Sequence, residues 1–372
     1  MQSGYCSRSS IASSGLHFTL NWIGDVSKGN KPGYIYSRNT NPTVASLEEK
    51  IRALEGAEAA TSFATGMAAI SNSLFTFLTA GKKVVSIKDS YGGTSKMLLD
   101  FLPKYNVEVE LCNTTDHEAL EAAIAKGCDV VYLETPTNPT LKLIDIERLV
   151  KAAKAVDAVV MVDNTFATPI NQNPIQLGAD LVLHSATKYL CGHSDAMGGL
   201  LAGKKELVQK VFHFREINGA SLQADPAYMI ARGMKTLELR VERQNTSALK
   251  IAKYLKAHDK VSDVFHPGLE THIGHDIAKK QMRGFGGMMS FSLHGGWKSV
   301  QKFLPALKLA HRAASLGSVS TLAGPPRTTS HVELTEEQRK HLGIPEGLIR
   351  YSVGIENVDD LLNDIDDALK LI

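Results

Sequence analysis

Lys188 is the residue of this sequence whose side chain is best suited to covalent chemistry. It lies in the segment HSATKYLCGHSDAMGG, residues 184–199, directly after the apolar run DLVL. A lysine in such a place is most often a solvated loop residue, but a desolvated amine can form a Schiff base with a carbonyl compound. Ser185 and Thr187 provide hydroxyl donors for an anion, and the small residues that follow would admit a flat ligand. The segment therefore indicates a reactive lysine beside an anion site.

Four other residues supply the groups that such a lysine would need. Asp163 ends the apolar run AVVMVDN, and Tyr91 in SYGGT offers an aromatic face for a ring. Gly66 and Met67 begin a predicted helix, whose free N–H groups and dipole favour an anion. Each has an ordinary structural explanation when taken alone. With Lys188 they form the set that pyridoxal phosphate requires, because the lysine binds its aldehyde and the aspartate keeps its ring nitrogen protonated.

The pattern of apolar residues predicts the elements that must position these side chains. Short continuous apolar strands alternate with amphipathic helices, which favours a parallel sheet covered on both faces. Ligands bind such sheets at the carboxyl ends of the strands, where Tyr91, Asp163 and Lys188 all fall. The predicted strands are 82–87, 107–112, 128–135, 158–164 and 179–185, and the predicted helices are 44–56, 66–78, 145–156 and 116–126, the last with Asp116 as its N-cap.

The character of the sequence changes after about residue 240, which predicts a second domain. A helix at 247–258, strands at 287–295 and 347–356 and a closing amphipathic helix indicate a smaller α+β unit. The N-terminal residues are rich in Ser, Gly and Asn, which is typical of an extended arm. The predicted division is an arm at 1–40, a large domain at 41–239 and a C-terminal domain at 240–372.

Composition and charge exclude several classes of function. The 372 residues carry a net charge of +2, without a basic tract for nucleic acid or an anionic membrane. No apolar run approaches the length that crosses a bilayer, and the N-terminal MQSGYCSRSSIASSG lacks the apolar core of a signal peptide. The four cysteines show neither CxxC spacing nor disulfide density. A reducing cytoplasm is the expected location.

Three other motifs carry weaker signals. GGLLAGKK, residues 198–205, nearly matches a phosphate-binding P-loop, but Lys205 takes the place of the Ser or Thr that binds magnesium. GFGGMM is not a GxGxxG fingerprint and precedes a predicted strand, which argues against a dinucleotide site. His266, His272 and His275 could be imagined as metal ligands, but loop histidines near Gly and Pro are more often solvated. We therefore expect no metal site.

A long, ordered series of motifs extends from about Gly33 to the C-terminus. It comprises YSRNTNPT, FATGMAAI, YGGT, ETPTNPT, VDNTFATP, HSATKYLCGHSDAMGG, RGMKTLELR, GFGGMMSF and LIRYSVGIE. With these motifs the chain resembles the Cys/Met-metabolism family of pyridoxal-phosphate enzymes, the group of cystathionine γ-lyase, cystathionine γ-synthase, methionine γ-lyase and O-acetylhomoserine sulfhydrylase. The resemblance implies a fold-type I transferase of the α/β class, with a large domain on a mostly parallel sheet and a smaller α+β C-terminal domain.

The resemblance also implies roles around the cofactor, pyridoxal 5'-phosphate. Lys188 would bind it covalently and then move protons, and Asp163 would pair with its ring nitrogen. Tyr91 would stack on the ring and act as acid or base near the leaving group. The phosphate would be bound by Gly66, Met67, Ser185 and Thr187.

Further roles implied by the resemblance concern the substrate and a neighbouring subunit. Arg350, with Ser315 and Asn138, would bind the substrate α-carboxylate, a task that suits a bidentate arginine. Tyr36 and Arg38 of the arm would reach the phosphate in the neighbouring subunit. The chain would then form at least a homodimer, and members of the family are usually homotetramers.

The implied activity is that of a carbon–sulfur lyase or γ-substituent transferase, by γ-elimination or γ-replacement on a sulfur amino acid or an activated homoserine. Gly93 and Lys96 favour a cystathionine-type or acylhomoserine-type substrate, since Lys96 can meet a distal carboxylate as a point charge. Ala314 stands where the cystathionine γ-enzymes usually have glutamate, which favours methionine γ-lyase or O-acetylhomoserine sulfhydrylase instead. Elimination and replacement both stay open. A non-catalytic cofactor-binding homologue is disfavoured, because Lys188 and Asp163 are both present.

Overall fold

The structure, a computed structural model, describes residues 33–332 and 335–372 and is organised around two β-sheets. The predicted arm lies outside the described part of the chain as far as residue 32. The larger sheet has seven strands in the order β1-β7-β6-β5-β4-β2-β3. These strands are β1 (Ala59–Phe63), β2 (Lys83–Ile87), β3 (Glu108–Cys112), β4 (Val130–Glu134), β5 (Val159–Asp163), β6 (Leu181–Ser185) and β7 (Gly199–Gly203).

The larger sheet is mostly parallel, which confirms the predicted fold class. β2, β3, β4, β5 and β6 pair in parallel, whereas β7 is antiparallel to both β1 and β6. The sequence pattern did not predict β1 or β7, because their residues are mostly Ala, Gly, Ser and Thr rather than a continuous β-branched run. β7 takes up residues 199–203 of the near match to a P-loop, so most of that segment is a strand and not a phosphate-binding loop.

Helices cover both faces of the larger sheet. On one face, Val84 and Tyr132 pack in a core with the second and seventh of the helices named below. On the other face, Val85 and Val131 pack in a core with the fourth and fifth of them. Asp116 caps the fourth helix as predicted, accepting the Ala119 N–H at 2.9 Å. The helices are α1 (Pro42–Glu55), α2 (Gly66–Phe77), α3 (Gly92–Lys96), α4 (His117–Ala125), α5 (Ile146–Lys154), α6 (Thr168–Asn171), α7 (Lys205–Asn218) and α8 (Ala224–Gly233).

The C-terminal third forms a smaller sheet of five strands in the order β10-β11-β12-β9-β8, and three of the remaining helices, Leu237–Lys256, Trp297–Ala306 and Val358–Leu369, share its core. Its strands are β8 (Val261–Phe265), β9 (Met288–Leu293), β10 (His311–Arg312), β11 (Leu322–Gly324) and β12 (Leu348–Ser352). The helices are α9 (Leu237–Lys256), α10 (His275–Gln281), α11 (Trp297–Ala306), α12 (Glu336–His341) and α13 (Val358–Leu369). The predicted domain boundary at residue 240 falls inside α9, and the division into domains stays a prediction.

Shorter helical turns complete the described elements. They are a π-helical turn at Met97–Phe101 and 3₁₀ turns at Leu102–Tyr105, Met234–Thr236 and Pro326–Thr328. Within the two described ranges, none of the helices has the length and apolar character needed to cross a bilayer.

Candidate active site

A cavity of about 300 Å³ lies at the carboxyl ends of β4, β5 and β6. Its size and position are those expected of a small-ligand site in a parallel sheet. The residues predicted for the site that line it are Gly66, Met67, Tyr91, Asn138, Asp163, Ser185, Thr187, Lys188 and Arg350. The wall also includes Thr65, Ile70, Glu134, Thr165, Phe166, Ala314, Leu316, Thr329 and Ser330.

Lys188 is held in a tight turn that follows β6. Its N–H donates to the carbonyl of Ser185 at 3.1 Å, and its Nζ donates to Ser315 Oγ at 3.2 Å. Burial, and then the charge of Arg350, lower the pKa of the Lys188 amine. The neutral amine is thereby favoured, which is the form that attacks a carbonyl carbon or accepts a proton.

Asp163 is a buried carboxylate at the end of β5, only 7% exposed. Its Oδ1 accepts the Thr165 N–H at 3.0 Å, and Tyr132 Oη lies 3.5 Å from Oδ2. Burial raises the pKa of Asp163, and no lysine or arginine of residues 33–332 or 335–372 forms an ion pair with it. A buried carboxylate of this kind is stabilised by a positive charge. The site therefore fits a ligand that carries a cationic group.

Glu134 is a second buried carboxylate on this wall, and it was not among the residues predicted for the site. It ends β4 directly beside Asp163 in the sheet register, and its Oε2 accepts the Tyr91 N–H at 2.7 Å. Burial, and then the charge of Asp163, raise the pKa of Glu134. Its place at a strand end was visible in the sequence. Its bond to the Tyr91 backbone was not, because that bond depends on how β2 and β4 are paired.

The N-terminus of α2 and the end of β6 form an anion cradle. The N–H groups of Gly66 and Met67 precede the first backbone bond of the helix, from Ala69 N–H to Thr65 O at 3.1 Å. A Cβ at Gly66 would lie 2.8 Å from Ser185 Oγ, so only glycine lets the helix approach the strand this closely. Free N–H groups and neighbouring hydroxyls of this kind bind a phosphate.

Arg350 reaches the cavity from β12 of the smaller sheet. It is 4% exposed, its Nη1 donates to Asn138 Oδ1 at 3.3 Å, and its Nη2 donates to the carbonyls of Ala314 and Ser315 at 2.6 and 3.0 Å. Burial lowers the pKa of Arg350 to about 10, so it still carries its charge at neutral pH. A fixed, buried guanidinium at the cavity wall fits a carboxylate ligand.

Tyr91 lies at the mouth of the cavity with 45% of its surface exposed. Gly93 leaves room for it, because a Cβ at that position would lie 2.8 Å from both Tyr91 Cε1 and Met67 Sδ. The glycine therefore lets the tyrosine ring lie close to the anion cradle, where an aromatic face can stack on a ligand ring.

Lys96 lies outside this cavity, on the wall of a second one of about 790 Å³. Tyr91, Thr329 and Ser330 line both cavities, so the two adjoin. His331 also lines the second cavity, and burial lowers the pKa of its imidazole to about 4. Lys88 lines the same cavity, so its wall carries two lysines.

Tyr36 and Arg38 do not line the cavity of their own chain. The Arg38 guanidinium lies 5.0 Å from the Tyr36 ring centre and donates to the carbonyl of Glu216 on α7. Both side chains are exposed. Their assignment to the site of a neighbouring subunit stays a prediction.

The three histidines considered as metal ligands bind the backbone instead. Their ring nitrogens lie 3.3 Å from Gly286 O for His266, 3.3 Å from Thr140 O for His272 and 2.8 Å from Pro267 O for His275. Across the described ranges, no group of three or more His, Cys, Asp or Glu side chains is arranged to hold a metal ion.

The donor set of the cavity fits pyridoxal phosphate on three independent counts. The buried Asp163 suits the cationic ring nitrogen, the cradle at Gly66 suits the phosphate, and the half-buried Lys188 amine suits the aldehyde. Set at the carboxyl edge of a mostly parallel sheet, these groups define a fold-type I pyridoxal-phosphate enzyme.

Comparison with known proteins gives the family. The chain belongs to the family described as Cys/Met metabolism PLP-dependent enzyme, whose model matches residues 3–370. It is 46% identical over 343 residues to an L-methionine γ-lyase of Fusobacterium nucleatum subsp. polymorphum, covering 91% of this chain and 87% of the relative. It is 44% identical over 345 residues to a cystathionine γ-lyase of Bacillus subtilis (strain 168), covering 92% and 90%.

A solved structure agrees with these relatives. The cystathionine γ-synthase of Xanthomonas oryzae pv. oryzae, in complex with aminoacrylate and cysteine, superposes with a TM-score of 0.89 at 39% identity, covering 92% of this chain and 89% of that one. The predicted family, fold class and cofactor are therefore confirmed, and the protein is a pyridoxal-phosphate-dependent enzyme.

Proposed function

We propose that this enzyme acts on an amino acid with a long γ-substituent, of the cystathionine or acylhomoserine type, which in cystathionine and O-succinylhomoserine carries a distal carboxylate. Its chemistry is γ-elimination or γ-replacement on sulfur amino acids or activated homoserine. The observation that carries the proposal is the convergence of Lys188, Asp163 and Arg350 on one cavity.

Asp163 and Lys188 would stabilise charge and transfer protons during the reaction. Pyridoxal phosphate supplies an aldehyde for the substrate amine and an electron-poor ring that stabilises negative charge. Asp163, buried at the end of β5, would hold the ring nitrogen in its protonated form. Lys188 would remove the proton from the substrate Cα and return protons later, since its lowered pKa favours the neutral amine.

Other residues would orient the substrate and assist the leaving group. Arg350, aided by Asn138 and Ser315, would bind the α-carboxylate, because its guanidinium is already fixed by bonds at 2.6 to 3.3 Å. Tyr91 would donate a proton to the departing γ-substituent, since it lies between the first cavity and the second. Gly66, Met67, Ser185 and Thr187 would bind the phosphate.

The second cavity supports a substrate with a long γ-substituent. Its volume of about 790 Å³ begins at Tyr91, where the leaving group would be, and extends to Lys96. Lys96 would attract a distal carboxylate by its charge. Methionine, which ends in a methyl group, would leave this cavity unused.

Methionine γ-lyase is the second candidate, and one residue favours it. Ala314 lines the cavity beside Arg350 and offers no charge to a distal amino group. An apolar side chain there suits a short thioether. The 46% identity to the Fusobacterium enzyme supports the same candidate.

The assembly and location belong to the proposal as well. Tyr36 and Arg38 would complete the site of a neighbouring subunit, with residues 1–40 as the arm that contacts it. The chain would form at least a homodimer, and a homotetramer as the resemblance to the family implies, within the cytoplasm. The exposure of Tyr36 and Arg38 on the surface of their own chain is consistent with such an arrangement.

A substrate panel tests the proposal. Purified holoenzyme is given cystathionine, methionine, homocysteine, and O-acetyl- or O-succinylhomoserine with and without a thiol, and release of 2-oxobutanoate is measured. We expect release from cystathionine or an acylhomoserine to exceed release from methionine, and Lys188→Ala to abolish all of it. A preference for methionine would select the second candidate, and no turnover of any of these substrates would overturn the proposal.

A further inference from the structure

Arg215 on α7 is a buried charged side chain that the proposed mechanism does not use. It is only 1% exposed, and it is the bulkiest of the fully buried side chains. Its Nη1 donates to the carbonyl of Ser62 at 2.9 Å and to Thr61 Oγ1 at 3.0 Å, both on β1. Glu48 on α1 lies 3.5 Å away and balances the charge. Arg215 is therefore fixed to the body of the large sheet.

The other arm of the same guanidinium holds a surface segment. Nη2 of Arg215 donates to the carbonyl of Asn39, which lies in the segment 36–41. A further bond, from Ser221 Oγ to Arg38 O at 2.6 Å, joins the segment to the residues after α7. The segment carries Tyr36 and Arg38, the two side chains proposed to act on a neighbouring subunit.

Besides these bonds, Arg38 Nη1 donates to the carbonyl of Glu216, and Asn41 Oδ1 accepts the Val44 N–H at 3.0 Å at the start of α1. The Oδ1 of Asn39 and the Nδ2 of Asn41 are buried without a hydrogen-bond partner among the described residues. A planar guanidinium can bind Ser62 O and Asn39 O at once because its two arms diverge at a fixed angle, whereas a lysine ammonium offers a single point of attachment. The fork of Arg215 thus ties Asn39 of this segment directly to Ser62 of β1.

We propose that Arg215 is a positioning residue for the active site of the neighbouring subunit. It holds the segment 36–41 at the angle from which Tyr36 and Arg38 reach the phosphate of that subunit's cofactor. The inference rests on the proposed function, in which these two side chains act across the subunit boundary. Loss of Arg215 therefore weakens cofactor binding in the partner and leaves the site of its own chain complete.

The first measurement is cofactor affinity in the assembled enzyme. Arg215→Lys keeps a positive charge beside Glu48 but replaces the two diverging donor arms, which bind Ser62 O and Asn39 O, with a single ammonium nitrogen. We expect it to weaken pyridoxal phosphate binding by about tenfold, the usual effect of one lost charge-assisted hydrogen bond. The readout is the visible absorption of cofactor bound to Lys188, titrated at equilibrium. Arg215→Gln, a shorter neutral variant, is titrated in parallel in case the lysine variant assembles poorly.

Mixed assemblies separate action on the partner from action within the chain. Arg215→Lys subunits and Lys188→Ala subunits carry different affinity tags and are co-assembled, and the mixed dimers are isolated. In these dimers the intact Lys188 lies in the Arg215→Lys chain and receives the segment of the chain with Arg215. We expect these sites to regain wild-type cofactor affinity. Affinity that stays as low as in the pure Arg215→Lys assembly would overturn the inference.

Two controls make that result specific. Arg38→Ala subunits co-assembled with Lys188→Ala subunits regain affinity if Arg38 acts across the boundary; if they do not, the proposed arrangement fails, and the inference fails with it. Arg240→Lys is the matched buried arginine, because Arg240 forks between Tyr189 O and Gly233 O at 2.9 Å each, next to Lys188 of its own chain. We expect any loss of cofactor affinity that Arg240→Lys causes to remain in the mixed assembly.

Discussion

Burial moves the two central titratable residues of the site towards their neutral forms. The pKa of Lys188 is lowered and the pKa of Asp163 is raised, in each case mainly by loss of solvent. A protonated ring nitrogen beside Asp163 restores the carboxylate, because an opposite charge favours the charged form. The same burial favours the neutral form of Lys188, which can accept protons. The pair is therefore arranged for a ligand with a cationic ring nitrogen and an electrophilic carbon.

Gly66→Ala tests the anion cradle. The added Cβ would lie 2.8 Å from both Cβ and Oγ of Ser185, which pushes α2 away from β6. Overpacking of this kind costs about 1–3 kcal/mol, so we expect cofactor affinity to fall by about tenfold or more. Equilibrium titration with pyridoxal phosphate measures it, and thermal unfolding of the cofactor-free protein serves as the control for general destabilisation. Unchanged affinity would show that the phosphate is bound elsewhere.

The sequence predicts single residues well where a reactive side chain follows an apolar strand directly. Asp163 and Lys188 have that signature, and the structure brings both to one cavity. Glu134 and Arg215 could not be assigned, because their contacts are with Tyr91 and Asn39 and depend on how separate elements pack. The spacing of residues along the chain does not predict such contacts.

Among the elements, the predicted strands and helices of the larger sheet match the structure to within about two residues at most ends. β7 and β1 were missed, since glycine and alanine there give no strand signal. Gly199 on β7 is required by packing instead, because a Cβ there would lie 2.2 Å from the carbonyl of Thr65. Sequence patterns thus predict the strands that are apolar on both faces. They do not predict strands whose small residues let another part of the backbone approach closely.

His266, the first residue after β8, gives the smaller sheet a pH-dependent stability. Its Nδ1 accepts the Gly268 N–H at 3.1 Å and its Nε2 faces the carbonyl of Gly286, so the buried ring is neutral. Burial lowers its pKa to about 4, below the ordinary value of about 6.5. Between these values the unfolded chain binds the proton and the folded chain does not. The free energy of unfolding therefore falls as the pH drops from 6.5 to 4.

We expect His266→Asn to reduce that dependence. The asparagine Oδ1 can still accept the Gly268 N–H, but no proton is taken up on unfolding, so about 2 kcal/mol of the loss between pH 7 and pH 5 should disappear. Urea unfolding of both proteins at the two pH values measures the difference. His331 keeps its own lowered pKa in both proteins and serves as an internal constant. An equal fall in the free energy of unfolding of both proteins between pH 7 and pH 5 would contradict this role for His266.

In the whole molecule, the site exists only where the two sheets meet. Arg350 of the smaller sheet bonds to Asn138 beside the larger one across 212 residues of sequence, and Lys188 bonds to Ser315 across 127. The periodicity of the sequence does not predict such pairs, and only the resemblance to a family assigned their residues to one site. Large exposed apolar side chains at Ile217, Tyr228 and Leu239, 60–81% exposed, are consistent with further contact between subunits.

Chemical trapping of the cofactor tests directly whether Lys188 is the residue that binds it. The holoenzyme is reduced with borohydride, which makes the bond between lysine and pyridoxal phosphate permanent, and the digested protein is mapped by mass spectrometry. We expect the phosphopyridoxyl group on Lys188 alone, with no label in Lys188→Ala. A label on another lysine, or none on a protein that binds the cofactor, would contradict the assignment of Lys188 and the mechanism built on it.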